Sequence, residues 1–170
     1  MAEENLKVVG RFRWNRPPTV YESFLEEEGI PIVRGLGVYD VRDVTLGPWK
    51  RTGGQGAYLE LNGVGGKSGL YVLEIPPGGA LIPERHMYEE IFWVVEGRGT
   101  TEIWTDGNPG KKQVFEWQKS SLFSPPLNSW HRLVNAASSP ALLLAATNAP
   151  PIMALLYPLW LGIALLRKGG

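Results

Sequence analysis

Between residues 57 and 146 the chain breaks into short apolar runs: 57–61, 70–75, 90–96, 100–105, 112–117, 121–124, 130–135 and 141–146. Each is rich in Val, Ile, Leu or aromatic residues, and none is long enough for a typical helix. Turn formers stand between them, as in Gly63–Gly66, Pro76–Gly79, Gly97-Arg98-Gly99, Asp106–Gly110 and Pro125-Pro126. Gly (21) and Pro (14) make up 35 of the 170 residues, well above the usual share of about 12%. Many short strands at this spacing predict an all-β sandwich or barrel rather than βαβ units. Asp106-Gly107-Asn108-Pro109-Gly110 reads as a hairpin tip. The run Gly53-Gly54-Gln55-Gly56 precedes no helical pattern, so it reads as turn chemistry rather than a phosphate loop.

The two ends differ from this middle. Residues 1–50 read as an N-terminal arm in which Arg11–Asn15 has no firm assignment. Thr19-Val20-Tyr21-Glu22 has the spacing of a capping box and Gly29 is a natural stop, which together predict a short helix over 19–28. Its run Glu26-Glu27-Glu28 is expected to be a solvated face. Residues 51–148 form the expected barrel, and 149–170 an apolar tail. From Ile152 to Leu166 that tail is almost wholly apolar, but Pro158 interrupts it and a membrane span needs about 20 residues. No membrane span is expected. The tail packs on the barrel or on a partner, or the chain is a piece of something longer.

Charge and composition narrow the chemistry. Lys plus Arg and Asp plus Glu are both 17, so there is no basic footprint for nucleic acid. A hydrophobic fraction of 44% with 7 Trp argues against disorder. The absence of cysteine excludes disulfides, thiolate metal sites and a cysteine nucleophile. The start MAEENLKVVG has no signal-peptide pattern, and a cytoplasmic location is expected. Imidazole chemistry has two positions available, His86 and His131.

Those two histidines sit among carboxylates. Glu84 and His86 are two apart, so an extended segment turns both to one side. Glu90 opens the strand that follows, and His131 begins an alternating strand after a Pro-rich turn. If these strands are neighbours, Glu84, His86, Glu90 and His131 converge. Phe92 and Val94 share parity with Glu90 and face inward, whereas Ile91, Trp93 and Val95 face outward. Leu133 and Asn135 share parity with His131. Core packing accounts for most of the rings among Tyr88, Phe92, Trp104, Phe115, Trp117, Phe123 and Trp130. Phe92, Leu133 and Tyr88 are the candidates for walls of a substrate pocket.

These segments resemble the paired motifs of the cupin superfamily, G-x5-H-x-H-x3,4-E-x6-G and G-x5-P-x-G-x2-H-x3-N. Gly78, His86, Glu90 and Gly97 fall in register with the first, and Pro126, His131 and Asn135 with the second. Glu84 stands where the first motif histidine belongs, and Ser120 and Asn128 stand at the two glycines of the second. Asn tolerates the left-handed conformation that a motif glycine supplies.

The resemblance implies a cupin-type β-barrel or jelly roll, and one divalent metal ion held by Glu84, His86, Glu90 and His131. Fe(II) or Mn(II) is favoured by the harder donor set, with Zn, Ni or Cu as alternatives. Glu84 reads as the fourth ligand or, if it is not one, as a general base; Tyr88 is a second candidate for moving protons. The implied activity is a mononuclear dioxygenase acting on a small organic acid or aromatic-type molecule. The alternatives are a metal-dependent lyase, decarboxylase or isomerase, and a small-molecule-binding cupin without turnover. A small-molecule substrate, no nucleic acid, no membrane and a homodimer complete the expected partners. The superfamily also includes two-barrel proteins, of which this chain would be one half.

Overall fold

The computed structural model describes residues 17–64, 66–108 and 110–156. The first element is helix α1 (Val20–Glu28). Thr19 caps it: the Thr19 hydroxyl accepts the Glu22 N–H at 3.2 Å, and the Glu22 carboxylate accepts the Thr19 N–H at 2.7 Å. Gly29 ends it at φ 68°, a left-handed conformation that glycine adopts without a Cβ penalty. Tyr21 and Leu25 face the core. The acidic run is less free than the sequence suggests, because Glu26 pairs with Arg34 and Glu28 with Arg51.

Two sheets follow. Strands β1 (Ile32–Gly35), β2 (Gly47–Trp49), β3 (Gly54–Leu61), β4 (Gly69–Ile75), β5 (Glu90–Glu96), β8 (Leu122–Phe123) and β10 (Ala141–Thr147) make the larger. Its order is β1-β3-β4-β10-β5-β8, with β2 also paired to β3. Strands β6 (Arg98–Trp104), β7 (Gln113–Gln118) and β9 (Trp130–Asn135) make the smaller, in the order β7-β6-β9. Each expected strand is present with ends shifted by a few residues at most. Strands β1 and β2 lie in the stretch read as arm, and both pair with β3. They are short, and Gly47-Pro48-Trp49 carries a proline that only an edge tolerates, so neither shows an alternating pattern.

The core lies between the sheets. On β5, Glu90, Phe92 and Val94 are buried while Ile91 and Trp93 are 47% exposed, as the parity requires. Trp49, Phe92, Leu73, Ile75 and Leu143 are fully buried, each contributing about 1.5–3 kcal/mol by removal from water. The rings divide between roles. Trp117 is buried and stacks on Phe123, whereas Trp104 and Trp130 stack on one another outside the core and Phe115 is exposed.

Residues 149–156 are helical and seat Met153 in the core. The rest of the apolar tail and the stretch Arg11–Asn15 lie outside the described residues. Among the described residues no helix is long and apolar enough to cross a membrane.

Candidate metal centre

The two segments that carry the histidines lie side by side. Backbone bonds run from Asn135 N to Gly79 O (2.8 Å), Leu81 N to Leu133 O (2.9 Å) and Asn128 N to His86 O (3.0 Å), and in both directions between Glu84 and His131 (2.9 Å each). Segment 78–86 thus acts as a further strand beside β9, although only Ala80 and Glu84 form bridges. Four left-handed residues shape the turns at the ends: Gly78 at φ 63°, Gly97 at 95°, Ser120 at 69° and Asn128 at 60°. The last two occupy the motif's glycine positions, so the backbone bend is kept where the glycine is not. Asn135 is structural. Its Nδ2 lies within 3.1 Å of the Ile75, Pro76 and Ser139 carbonyls, and its Oδ1 accepts the Ala137 N–H.

His86, Glu90 and His131 come together inside the barrel, with one potential ligand atom from each lying within 4.8 Å of the others. His86 Nε2 is 3.1 Å and His131 Nε2 3.7 Å from the same oxygen, Glu90 Oε2. The opposite nitrogens face backbone carbonyls, His86 Nδ1 that of Tyr88 at 2.9 Å and His131 Nδ1 that of Ser129 at 3.3 Å. A carbonyl only accepts, so Nδ1 carries a proton and Nε2 points at Glu90. This is the support by which metal-binding imidazoles are usually oriented. The other carboxylate oxygen, Oε1, accepts the Tyr71 hydroxyl at 2.5 Å. Both rings therefore meet an acceptor on each side, which either a proton on each Nε2 or one cation among the three groups satisfies. Two imidazoles and one carboxylate in this compact set fit a divalent cation.

The charges agree with that fit. Burial pushes the Glu90 carboxyl up, but the facing imidazoles of His131 and His86 and the Tyr71 hydroxyl outweigh it and hold the pKa at about 2. Burial alone would lower His131, and the carboxylate of Glu90 raises it instead.

The other expected site residues stand around this triad. Glu84 borders it, but its carboxylate is turned to Arg51 in an ion pair. Arg51 Nε also donates to Glu28 at 2.9 Å. Burial raises the Glu84 carboxyl above its ordinary value, with Arg51 acting against that rise. The Tyr88 ring lies flat on His86, 3.9 Å between centroids and 3° between planes, and burial raises its hydroxyl well above the usual tyrosine range. Phe92 and Leu133 are each 2% exposed and belong to the core cluster; Phe92 stacks on Phe123 at 5.3 Å. A cavity of about 310 Å³ lies elsewhere, between α1 and strands β3 and β4, with Tyr21, Leu59 and Gly69 in its walls.

Sequence reasoning missed Tyr71 and Arg51. Alternation marks Tyr71 as inward-facing on β4, but nothing in the pattern joins it to Glu90. Arg51 sits in the turn between β2 and β3, and β2 itself left no readable signal.

A jelly-roll barrel whose two motif segments bring His, Glu and His together inside it defines a class of β-barrels with a candidate metal triad at the centre. The family model described as the cupin domain matches residues 71–147, and this stretch, which carries both motif segments, is a cupin domain. The chain is 31% identical over 93 residues to Auxin-binding protein 1 of Arabidopsis thaliana, covering 54% of this chain and 47% of that protein. The match therefore spans about half the length of that relative. It is 26% identical over 151 residues to Auxin-binding protein T92 of Nicotiana tabacum, covering 84% of this chain and 76% of the relative. Among solved structures, oxalate decarboxylase of Lactobacillus farciminis in its formate complex superposes with a TM-score of 0.53 at 19% identity. That overlap covers 64% of this chain and 32% of the other, and it concerns the fold.

Proposed function

We propose that this chain holds one divalent cation on His86, Glu90 and His131 and acts on a small organic acid or aromatic-type molecule as a mononuclear Fe(II) or Mn(II) dioxygenase. One observation carries the reading: both Nε2 atoms converge on Glu90 Oε2 while their Nδ1 atoms face backbone carbonyls. When bound, such an ion supplies Lewis acidity and, if redox-active, a path for electrons.

The chain's own residues supply the rest. Glu90 brings one negative charge, and Tyr71 fixes its outer oxygen so that Oε2 keeps its direction. Tyr88 holds the His86 ring in plane by stacking. Glu84, half-buried beside the triad, is placed to take a proton from a substrate, with Arg51 stabilising its charged form. Three protein ligands leave coordination positions for a substrate and a second small molecule, the arrangement used by non-haem Fe(II) oxygenases. The substrate-pocket roles of Phe92 and Leu133 and association as a homodimer belong to the same proposal. Light scattering is expected to give twice the chain mass, and a monomer mass would remove the dimer from it.

A second reading is a cupin that binds a small molecule without turnover. It is favoured by the two plant relatives, which are named for binding rather than for a reaction. Metal analysis of protein purified without added metal comes first, with near-stoichiometric iron or manganese expected and His86→Ala and His131→Ala both expected to lose it. Wild-type metal content in both variants would sink the site. Oxygen uptake across a panel of organic acids then separates the readings: uptake supports the dioxygenase, and tight binding without uptake supports the binder.

A further inference from the structure

The motif position of Glu84 places a second carboxylate, a possible fourth ligand, within reach of the triad. Glu84 and His131 form a two-way backbone bridge, and directly opposed residues on antiparallel strands project to the same face with Cβ atoms about 5 Å apart. Geometry alone would let Glu84 join His131 on one cation. Instead its carboxylate is engaged by Arg51.

Arg51 is itself fixed by contacts that do not involve Glu84. Its Nε donates to Glu28 at 2.9 Å, and Glu28 is also held by the Trp49 indole N–H. The guanidinium carbon lies 4.8 Å from the centre of the Trp49 ring and 5.6 Å from that of Phe24, distances at which a cation is attracted to the ring face. A planar guanidinium seated this way has little freedom to follow a carboxylate that moves. Helix α1 contributes Phe24 and Glu28, so the helix that covers this end of the barrel also seats the arginine.

We propose that Arg51 is a positioning residue: it holds Glu84 off the triad and so keeps the ion on three protein ligands instead of four. The inference rests on the metal reading above and deepens it toward the substrate. With Glu84 held back, the bound cation and Glu90 retain one positive charge rather than none, and a coordination position stays open. Both features suit an anionic substrate. Without Arg51, the same carboxylate would close that position and neutralise the site.

Co(II) binding tests this, because affinity and absorption both report the ligand set without any turnover. Arg51→Met is expected to tighten Co(II) roughly tenfold, as an added carboxylate does in oxygen-rich sites, and to weaken the Co(II) visible band as the coordination number rises. Glu84→Gln alone is expected to leave affinity within about twofold of wild type, well short of a tenfold step. The double variant Arg51→Met/Glu84→Gln is expected to return both signals to the wild-type pattern; because it also restores the pair's net charge, the band rather than the affinity separates ligation from a through-space charge effect. Arg51→Met/Glu28→Gln, which leaves no unpaired Glu28, should behave as Arg51→Met does and guards against misfolding of the single variant. An unchanged band and affinity in both Arg51→Met and Arg51→Met/Glu28→Gln would overturn the proposal. So would a loss in Glu84→Gln as large as that in His86→Ala, which would make Glu84 a ligand already. If wild type binds Co(II) and His86→Ala does not, either of those results removes only the Arg51 role. If wild type binds no Co(II), the metal reading fails with it.

Discussion

Glu90 and Glu84 flank His86, four residues after it and two before, and both lie against the same pair of imidazoles. Glu90 opens β5, a strand bonded on one side to β10 and on the other to β8. Glu84 belongs to a segment tied to β9 by bridges alone. The partners differ in kind. Tyr71 donates one neutral hydrogen bond to Glu90 and leaves the second oxygen at full charge toward His86 and His131. Arg51 meets Glu84 with a cation, which satisfies the carboxylate and removes most of its attraction for a metal. On the proposed reading, the charge of the group that orients each carboxylate decides which of the two serves as the ligand. A neutral donor aims its carboxylate, and a cationic donor occupies it.

The largest expected effect sets the two side by side. Glu90→Gln should weaken divalent-metal binding by more than about 100-fold, beyond the range for losing a supporting contact. Glu84→Gln should change it by a factor near two. Isothermal titration with Mn(II) or Co(II) reads both, and equal losses would break the comparison. Next comes Tyr71→Phe, which leaves the ring packing and removes the hydroxyl. It should cost about 1.5–3 kcal/mol of stability, the usual worth of a hydrogen bond to a buried charge. It should also weaken metal binding by about 10–100-fold. Wild-type affinity in Tyr71→Phe would show that Glu90 is aimed by its strand and not by its donor.

Spacing made the position of both carboxylates legible, but not the partner that each one meets. Spacing brought Glu84, His86, Glu90 and His131 together because Glu84 and His86 share one extended segment and Glu90 opens the strand that follows it, and because a regular strand fixes which side chains share a face. That parity holds for Phe92, Val94, Leu133 and Asn135. Spacing carries no information about what a side chain's far end meets. Arg51 reaches Glu84 from a turn beside an edge strand, across 33 residues, and Tyr71 reaches Glu90 across 19. Such contacts are set when the sheet closes, not by local pattern. The same reason hid β1 and β2, whose pairing with β3 depends on tertiary neighbours rather than on alternation.

A smaller effect concerns the helix that seats Arg51. Thr19→Ala removes the cap that closes the first turn of α1 and should cost about 1 kcal/mol, or about 2–4 °C in melting temperature for a domain of this size. Metal affinity should stay near wild type, because Glu28 lies at the far end of the helix and the Trp49 contact holds Arg51 as well. A tenfold change in affinity would mean that the fraying of α1 reaches Glu84, and would draw the helix into the site.

The smallest effect tests the Glu90 side through its backbone. Ser120 stands at φ 69° and donates its N–H to Val94 O on β5 at 2.8 Å. A left-handed conformation costs a residue with a Cβ about 1–2 kcal/mol, and glycine removes that cost while giving back part of it as chain entropy. Ser120→Gly keeps the bond to Val94, so a net gain of about 0.5 kcal/mol is expected. Asn128→Gly relieves the same conformation but loses the 2.8 Å bond that Arg85 donates to the Asn128 side chain. Its gain should be smaller or absent. Chemical denaturation of the two variants measures the difference directly. A larger gain from Asn128→Gly would mean that the Arg85 contact contributes nothing, and that both turns answer to backbone strain alone.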